Sequence, residues 1–280
     1  MPDQANDDDQ FDGAERPVEQ TYSAATEEGA QRLHRSWPAL VTTGFLGGVE
    51  VSIGALAYLL TVHETGSQLL GALAFSIGFI ALYLAHSELF TEGFYYPIMA
   101  IFDGHGSWIQ LLRLWLVTFL SNLVGGWVTI GLVVVGMPKL VPEITTAANH
   151  FLDIGLSWQG AALAVLAGLA ITLMTRMHAG TEDPGAIIAA SVTGGFILTG
   201  ASLFHSVLDS ILIFGAIHTG SSDIGYVDWL GWIWWVIPLN IFGGLIFTTV
   251  PRLIRSREVR EENTDNASVT DQTEPKEPTA

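Results

Sequence analysis

The sequence predicts an all-α polytopic membrane protein. Its six transmembrane helices form two inverted three-helix repeats, and the second and fifth helices are broken. Three observations carry this reading. The 280 residues are 49% hydrophobic and only 14% charged, whereas an ordinary soluble domain has about a quarter of its residues charged. The charge is concentrated at the ends. Residues 1–31 hold nine Asp or Glu against Arg16 alone, and residues 258–280 hold seven against Arg260 and Lys276, so the tails account for 13 of the 17 net negative charges. Finally, an Asn-x-x-Gly-Gly pattern recurs in each half, one span after a break.

These features exclude a soluble globule, and also a nucleic-acid binder, which needs a basic face. The absence of Cys excludes disulfides, Cys-ligated metals and thiol chemistry. The acidic N-terminus has no basic patch before an apolar run, so no secretory signal is expected.

A hydrocarbon core about 30 Å thick needs roughly 20 apolar residues per helix. Six stretches qualify: 37–62, 69–87 running brokenly to 102, 108–137, 158–177, 185–217 with an interruption, and 229–254. Trp37, Trp108, Trp158 and Trp229 each open one, where an indole suits the interface belt. The chain therefore divides into an acidic segment 1–36, a transmembrane domain 37–254 and an acidic, disordered segment 255–280. With both termini on one side, that side collects Arg32, Arg35, Arg113, Arg176, Arg252, Arg255 and Arg257, and the other has Lys139. Positive charges near span ends stay inside, so both termini are expected in the cytoplasm and the spans in the plasma membrane.

The second span carries Glu88, Glu92, Gly93 and Pro97 where a lipid-facing helix should continue, and the fifth carries Gly200, His205 and Asp209. Irregular backbone at membrane depth survives only where protein or water satisfies it. Asn122 and Asn240 head the two Asn-x-x-Gly-Gly patterns, at a shift of nearly 120 residues. Three helices per half is an odd number, so the halves insert with opposite topology. Matching broken helices in inverted repeats point to a transport site at mid-membrane.

Ionisable residues inside spans are costly and usually mark a pathway. Here they are Glu50, His86, Glu88, Glu92, His205 and Asp209. Three readings of His86, Glu88, His205 and Asp209 stand open: a metal site of an intramembrane enzyme or metal transporter, a proton relay in a pore, or satisfaction of loop backbone. Asp209 follows His205 by four residues, so a ring–carboxylate pair on one helix face is expected. No Walker-type Gly-Lys loop is present, so no ATP-driven pump is implied. The acidic excess also fits a halophilic, high-salt cytoplasm.

The run FSIGF…SELFT, then Asn-x-x-Gly-Gly, then a Gly-rich broken span with Phe-His-Ser, then Pro-x-Asn-x-x-Gly-Gly, resembles the formate/nitrite transporter (FNT) family, and within it the YfdC-like branch. The resemblance covers about residues 37–254. It implies an aquaporin-like homopentamer in membrane lipid, with one pore per protomer, no cofactor and no enzymatic activity. The implied cargo is a small monovalent anion of a weak acid: formate, nitrite, hydrosulfide, acetate or lactate. His205 would be the central proton donor or relay and Thr91 a substrate hydrogen-bonding group, with Glu88 and Asp209 on the pathway. Leu89, Phe90, Phe75, Phe79, Ile171 and Leu198 would form the apolar constrictions. The resemblance also suggests a surface helix at 21–35. One departure stands out. The charged triad that formate-type members place near the central His is missing, with Phe204 and Gly168 at two of its positions and no Lys or Arg between Lys139 and Arg176.

Overall fold

The structure, a computed structural model, describes residues 8–220 and 223–258, with side chains from residue 18. The expected tail residues 1–7 and 259–280 lie outside this range. Ten α-helices are described: α1 Asp8–His34, α2 Trp37–Thr65, α3 Gln68–Leu84, α4 Tyr96–Phe102, α5 Trp108–Gly136, α6 Val141–Ile154, α7 Trp158–Ala179, α8 Pro184–Gly200, α9 Leu208–Thr219 and α10 Tyr226–Gly244. After a π-helical turn over Leu245–Thr249 the last helix continues to Glu258, four residues into the segment expected as a tail. The expected surface helix at 21–35 is the C-terminal part of α1.

Helix starts follow local capping chemistry. Ser36, Ser107 and Ser157 cap α2, α5 and α7 through hydrogen bonds to Ala39, Gln110 and Gly160, so Trp37, Trp108 and Trp158 stand at their first positions. Trp229 departs from that expectation. Asp228 accepts the Gly225 N–H at 2.8 Å and starts α10 at Tyr226, which puts Trp229 inside the first turn.

Among the described residues, four helices are long and apolar enough to cross a membrane: α2, α5, α7 and the helix 226–258. Each of the two broken regions instead supplies a pair of shorter helices, α3 with α4 and α8 with α9. Along α5, Ile109, Leu112, Leu116, Leu120 and Val124 are exposed at three- to four-residue intervals, while Leu111, Leu114 and Asn122 are buried. A helix apolar on its exposed face as well belongs in lipid.

α1 packs across one end of the bundle against α4, burying Tyr22, Ala25 and Leu33 with Tyr95, Tyr96 and Met99. At its C-terminal end Arg113 Nη2 donates to the carbonyl of Leu33 at 2.8 Å and to that of Arg35, just past the helix, at 2.9 Å. α6, which the sequence reading does not anticipate, packs on α9 at the other end. Its buried Ile144, Ala148 and Phe151 mark one helical face.

Candidate functional site: two broken helices meeting at mid-chain

The two halves repeat contact for contact. In the first, Asn122 Nδ2 donates to the carbonyls of Gly44 and Glu88 at 2.7 and 2.8 Å, and its Oδ1 accepts the Phe90 N–H at 2.9 Å. In the second, Asn240 Nδ2 donates to Ala164 and Phe204 at 2.8 Å each, and its Oδ1 accepts the Ser206 N–H at 2.9 Å. The strands of irregular chain also pair alike: Glu88 N–H to Thr43 O at 3.2 Å and Phe204 N–H to Leu163 O at 3.3 Å. His86 and Ser202, the two non-Gly residues with positive φ among those described, 56° and 49°, end α3 and α8 at equivalent places. A carboxamide is the side chain that can donate twice and accept once here, which explains why Asn heads each Gly-Gly pattern.

The glycines permit the approach. A Cβ at Gly48 would run into the carbonyl of Asn122, and one at Gly168 into that of Asn240. Gly168 is therefore fixed by packing, whatever it replaces in formate-type members.

The two breaks meet at Thr91 and His205, both fully buried, with Thr91 Oγ1 and His205 Nε2 2.9 Å apart. His205 Nδ1 accepts the Leu208 N–H at 3.0 Å. An N–H can only donate, so the neutral ring carries its proton on Nε2 and donates to Thr91. Asp209 does not pair with the ring as expected. Its Oδ2 accepts the His205 backbone N–H at 2.8 Å, while its own N–H donates to the His205 carbonyl at 3.1 Å. The reason is that His205 precedes α9, so the carboxylate folds back on the start of the helix as in a capping box.

The pair lines neither of two cavities, which reach its chain neighbours: Glu92 in one, Leu208 and Asp209 in the other. The larger, about 780 Å³, opens beneath α1 and is lined by Arg32, Arg35, His86, Ser87, Glu92 and His178 among others. The smaller, about 260 Å³, opens beneath α6 and reaches Phe75, Leu198, Leu208 and Asp209. Of the expected constriction residues, Phe75 and Leu198 face this second cavity, whereas Phe79, Leu89 and Ile171 are buried and line neither of the two. Phe90 turns toward α5, packing edge-on against Phe94, Trp115 and Phe119.

Glu88 lies on the α1 side, in a group the sequence reading misses. Arg32 reaches Glu28 at 2.7 Å and Glu92 at 3.0 Å, and Arg35 reaches Glu88 at 2.9 Å. Burial opposes the charge of Arg32, but Glu92, Glu28 and Glu88 outweigh it and hold the guanidinium above its ordinary value. Burial also pushes the Glu28 carboxyl up, yet Arg32 and Arg35 hold it below the usual carboxylate range. The signal available in sequence was the paired arginines directly before the first span. His86 and Glu88 thus stand apart from the centre. Among the described residues no three His, Asp or Glu are placed to hold a metal ion, so the metal reading of His86, Glu88, His205 and Asp209 has no geometric support.

The formate/nitrite transporter family model matches residues 19–254. An uncharacterised transporter of Bacillus subtilis (strain 168), YrhG, is 28% identical over 253 residues, covering 83% of this chain and 90% of that one. The formate channel BtFdhC of Bacillus thuringiensis is 28% identical over 116 residues, 38% of this chain and 44% of its own. Among solved structures, a pentameric formate channel with formate bound matches with a TM-score of 0.67 at 19% identity, over 78% of this chain and 96% of that one. An FNT family ion channel matches with a TM-score of 0.69 at 20% identity, over 84% and 98%. Apolar helices, paired breaks and a match spanning nearly all the described residues agree: this membrane protein belongs to the formate/nitrite transporter family.

Proposed function

We propose that the protein is a channel for small monovalent anions of weak acids, formate and nitrite foremost. It works as a homopentamer in the lipid of the plasma membrane, each protomer spanning six times as two inverted repeats with both termini cytoplasmic. The observation that carries this reading is the fully buried Thr91–His205 pair, which joins the two breaks and lines neither of the two cavities.

A bare anion entering an apolar ring loses hydration worth several kcal/mol or more. Phe75, Phe79, Leu89, Ile171 and Leu198 supply the filter, and Phe90 stiffens the break behind it. The centre offers compensation in two donors. His205 Nε2–H can turn from Thr91 to the anion, and the Thr91 hydroxyl, whose own proton is not taken by the ring, can donate to it as well. Proton relay through His205 adds a cost. To give up a proton the ring must first be protonated on Nδ1, which breaks the Leu208 N–H bond and leaves a buried donor unpaired for about 1–3 kcal/mol. His205 is therefore a donor first, and a relay only when an acid supplies the second proton. Glu88 and Asp209 serve the pathway indirectly, through α1 and the start of α9.

The test is a substrate panel in proteoliposomes. Formate, nitrite, hydrosulfide, acetate and lactate should dissipate their gradients in a saturable, pH-dependent way, and the detergent-corrected mass should equal five protomers. A single-protomer mass, or no flux for any of the five, overturns the reading.

A further inference from the structure

The two cavities differ in charge. Beneath α1, Arg32 and Arg35 are both held by carboxylates. Beneath α6, no Lys or Arg is among the described lining residues. Lys139 does not line that cavity and is engaged by Glu64 at 2.6 Å. The side chain there that can carry positive charge is His150, exposed on α6, with its ring 6.3 Å from that of Phe204, the residue before His205.

The ionisable groups around His150 come from three helices. From α6 itself, Glu143 faces the cavity and Asp153 is exposed one turn beyond His150. Glu143 is already taken by His63 Nδ1 at 3.0 Å. From α2 comes the Tyr58 phenol, and from α9 comes Asp209, whose Oδ2 is occupied by the His205 N–H. α8 contributes only Leu198 and Thr199. Without a cation the cavity repels anions, and His150 is placed to reverse that.

We propose that His150 is the anion-recruiting residue of this vestibule. In its protonated form it draws a small monovalent anion from the α6 face to the approach to Phe204. The proposal rests on the channel reading above and names the residue that sets its affinity on one face.

The experiment uses the full chain in proteoliposomes of one orientation, with formate applied to the α6 face. Between pH 7.5 and 5.5 the half-saturating concentration should fall about fivefold in the unaltered protein. In His150→Gln it should stay high at both pH values, and in His150→Lys low at both. Formate applied to the α1 face should show no such difference. A wild-type pH response in His150→Gln, or equal changes from both faces, overturns the proposal. A second readout is independent of flux: carbethoxylation of His150 by diethyl pyrocarbonate, followed by peptide mass, should slow in the presence of formate. Protection without flux in the unaltered protein would overturn the channel reading and keep this one. Absence of protection overturns this one whatever the flux.

Discussion

Thr91 Oγ1 and His205 Nε2 lie 2.9 Å apart although 114 residues separate them, and each belongs to the irregular chain that interrupts one half of the protein. The contact joins two backbone breaks, each fixed by an Asn. Whatever disturbs either Asn should therefore reach the centre.

Asn122 and Asn240 each make three buried hydrogen bonds. Replacing either by Leu keeps the volume and leaves one N–H and two carbonyls unpaired, at about 1–3 kcal/mol for each buried group. Both variants should lose the monodisperse oligomer at a markedly lower temperature, and by similar amounts. Size-exclusion profiles after graded heating measure this. A large loss in one and none in the other would break the equivalence of the halves.

Gly48→Ala and Gly168→Ala each push a methyl group into a neighbouring backbone carbonyl. Overpacking of this kind costs typically about 1–3 kcal/mol, and backbone cannot rotate away as a side chain can. Both should lower thermal stability in the same assay, while Gly136→Ala, with nothing near its Cβ, should not.

Asp209 holds the His205 backbone and leaves the ring to Thr91 and Leu208. Asp209→Asn keeps an acceptor oxygen, so the pH midpoint of transport should stay where it is, with some loss of folded protein. Asp209→Ala should lose considerably more. Flux against pH, normalised to folded oligomer, checks both. A midpoint moved toward acid in Asp209→Asn would restore the ring–carboxylate pair.

Docking of α1 should weaken in acid. Glu28 is held below the usual carboxylate range by Arg32 and Arg35 against the opposing effect of burial. A depressed carboxyl contributes stability that is complete above its unfolded value of about 4.3 and is lost as pH falls through the folded one. Hydrogen exchange over residues 18–34 should therefore rise below about pH 4, and Arg32→Gln should raise it at pH 7 as well. Equal protection at pH 3.5 and 7 in the unaltered protein would contradict this.

Much of the architecture was legible because its causes are local. Long charge-free runs have one explanation, and Asn-x-x-Gly-Gly following each break reports a carboxamide plugged into a broken helix. What escaped depended on where helices end. The four-residue spacing of His205 and Asp209 places their side chains together only if residue 205 is helical, and α9 begins at Leu208. Phe90 was expected at a constriction, but the bond from its N–H to Asn122 turns it to the aromatic side of α5. α6 escaped because its apolar face is short, and with it went the position of His150. In sequence Arg32 and Arg35 are orientation signals only, while their pairing with Glu92 and Glu88 requires α1 to fold back over the bundle.

In the proposed function His205 supplies the proton-bearing nitrogen at the buried midpoint. The measurement that tests it most directly is formate flux in proteoliposomes for the unaltered protein, Thr91→Val and His205→Phe, each shown beforehand to retain the oligomeric mass. The account predicts reduced flux in Thr91→Val, which removes one of two donors, and flux indistinguishable from empty liposomes in His205→Phe. Undiminished flux in a folded His205→Phe oligomer would contradict it and leave His205 with the structural task of holding Leu208 and Thr91.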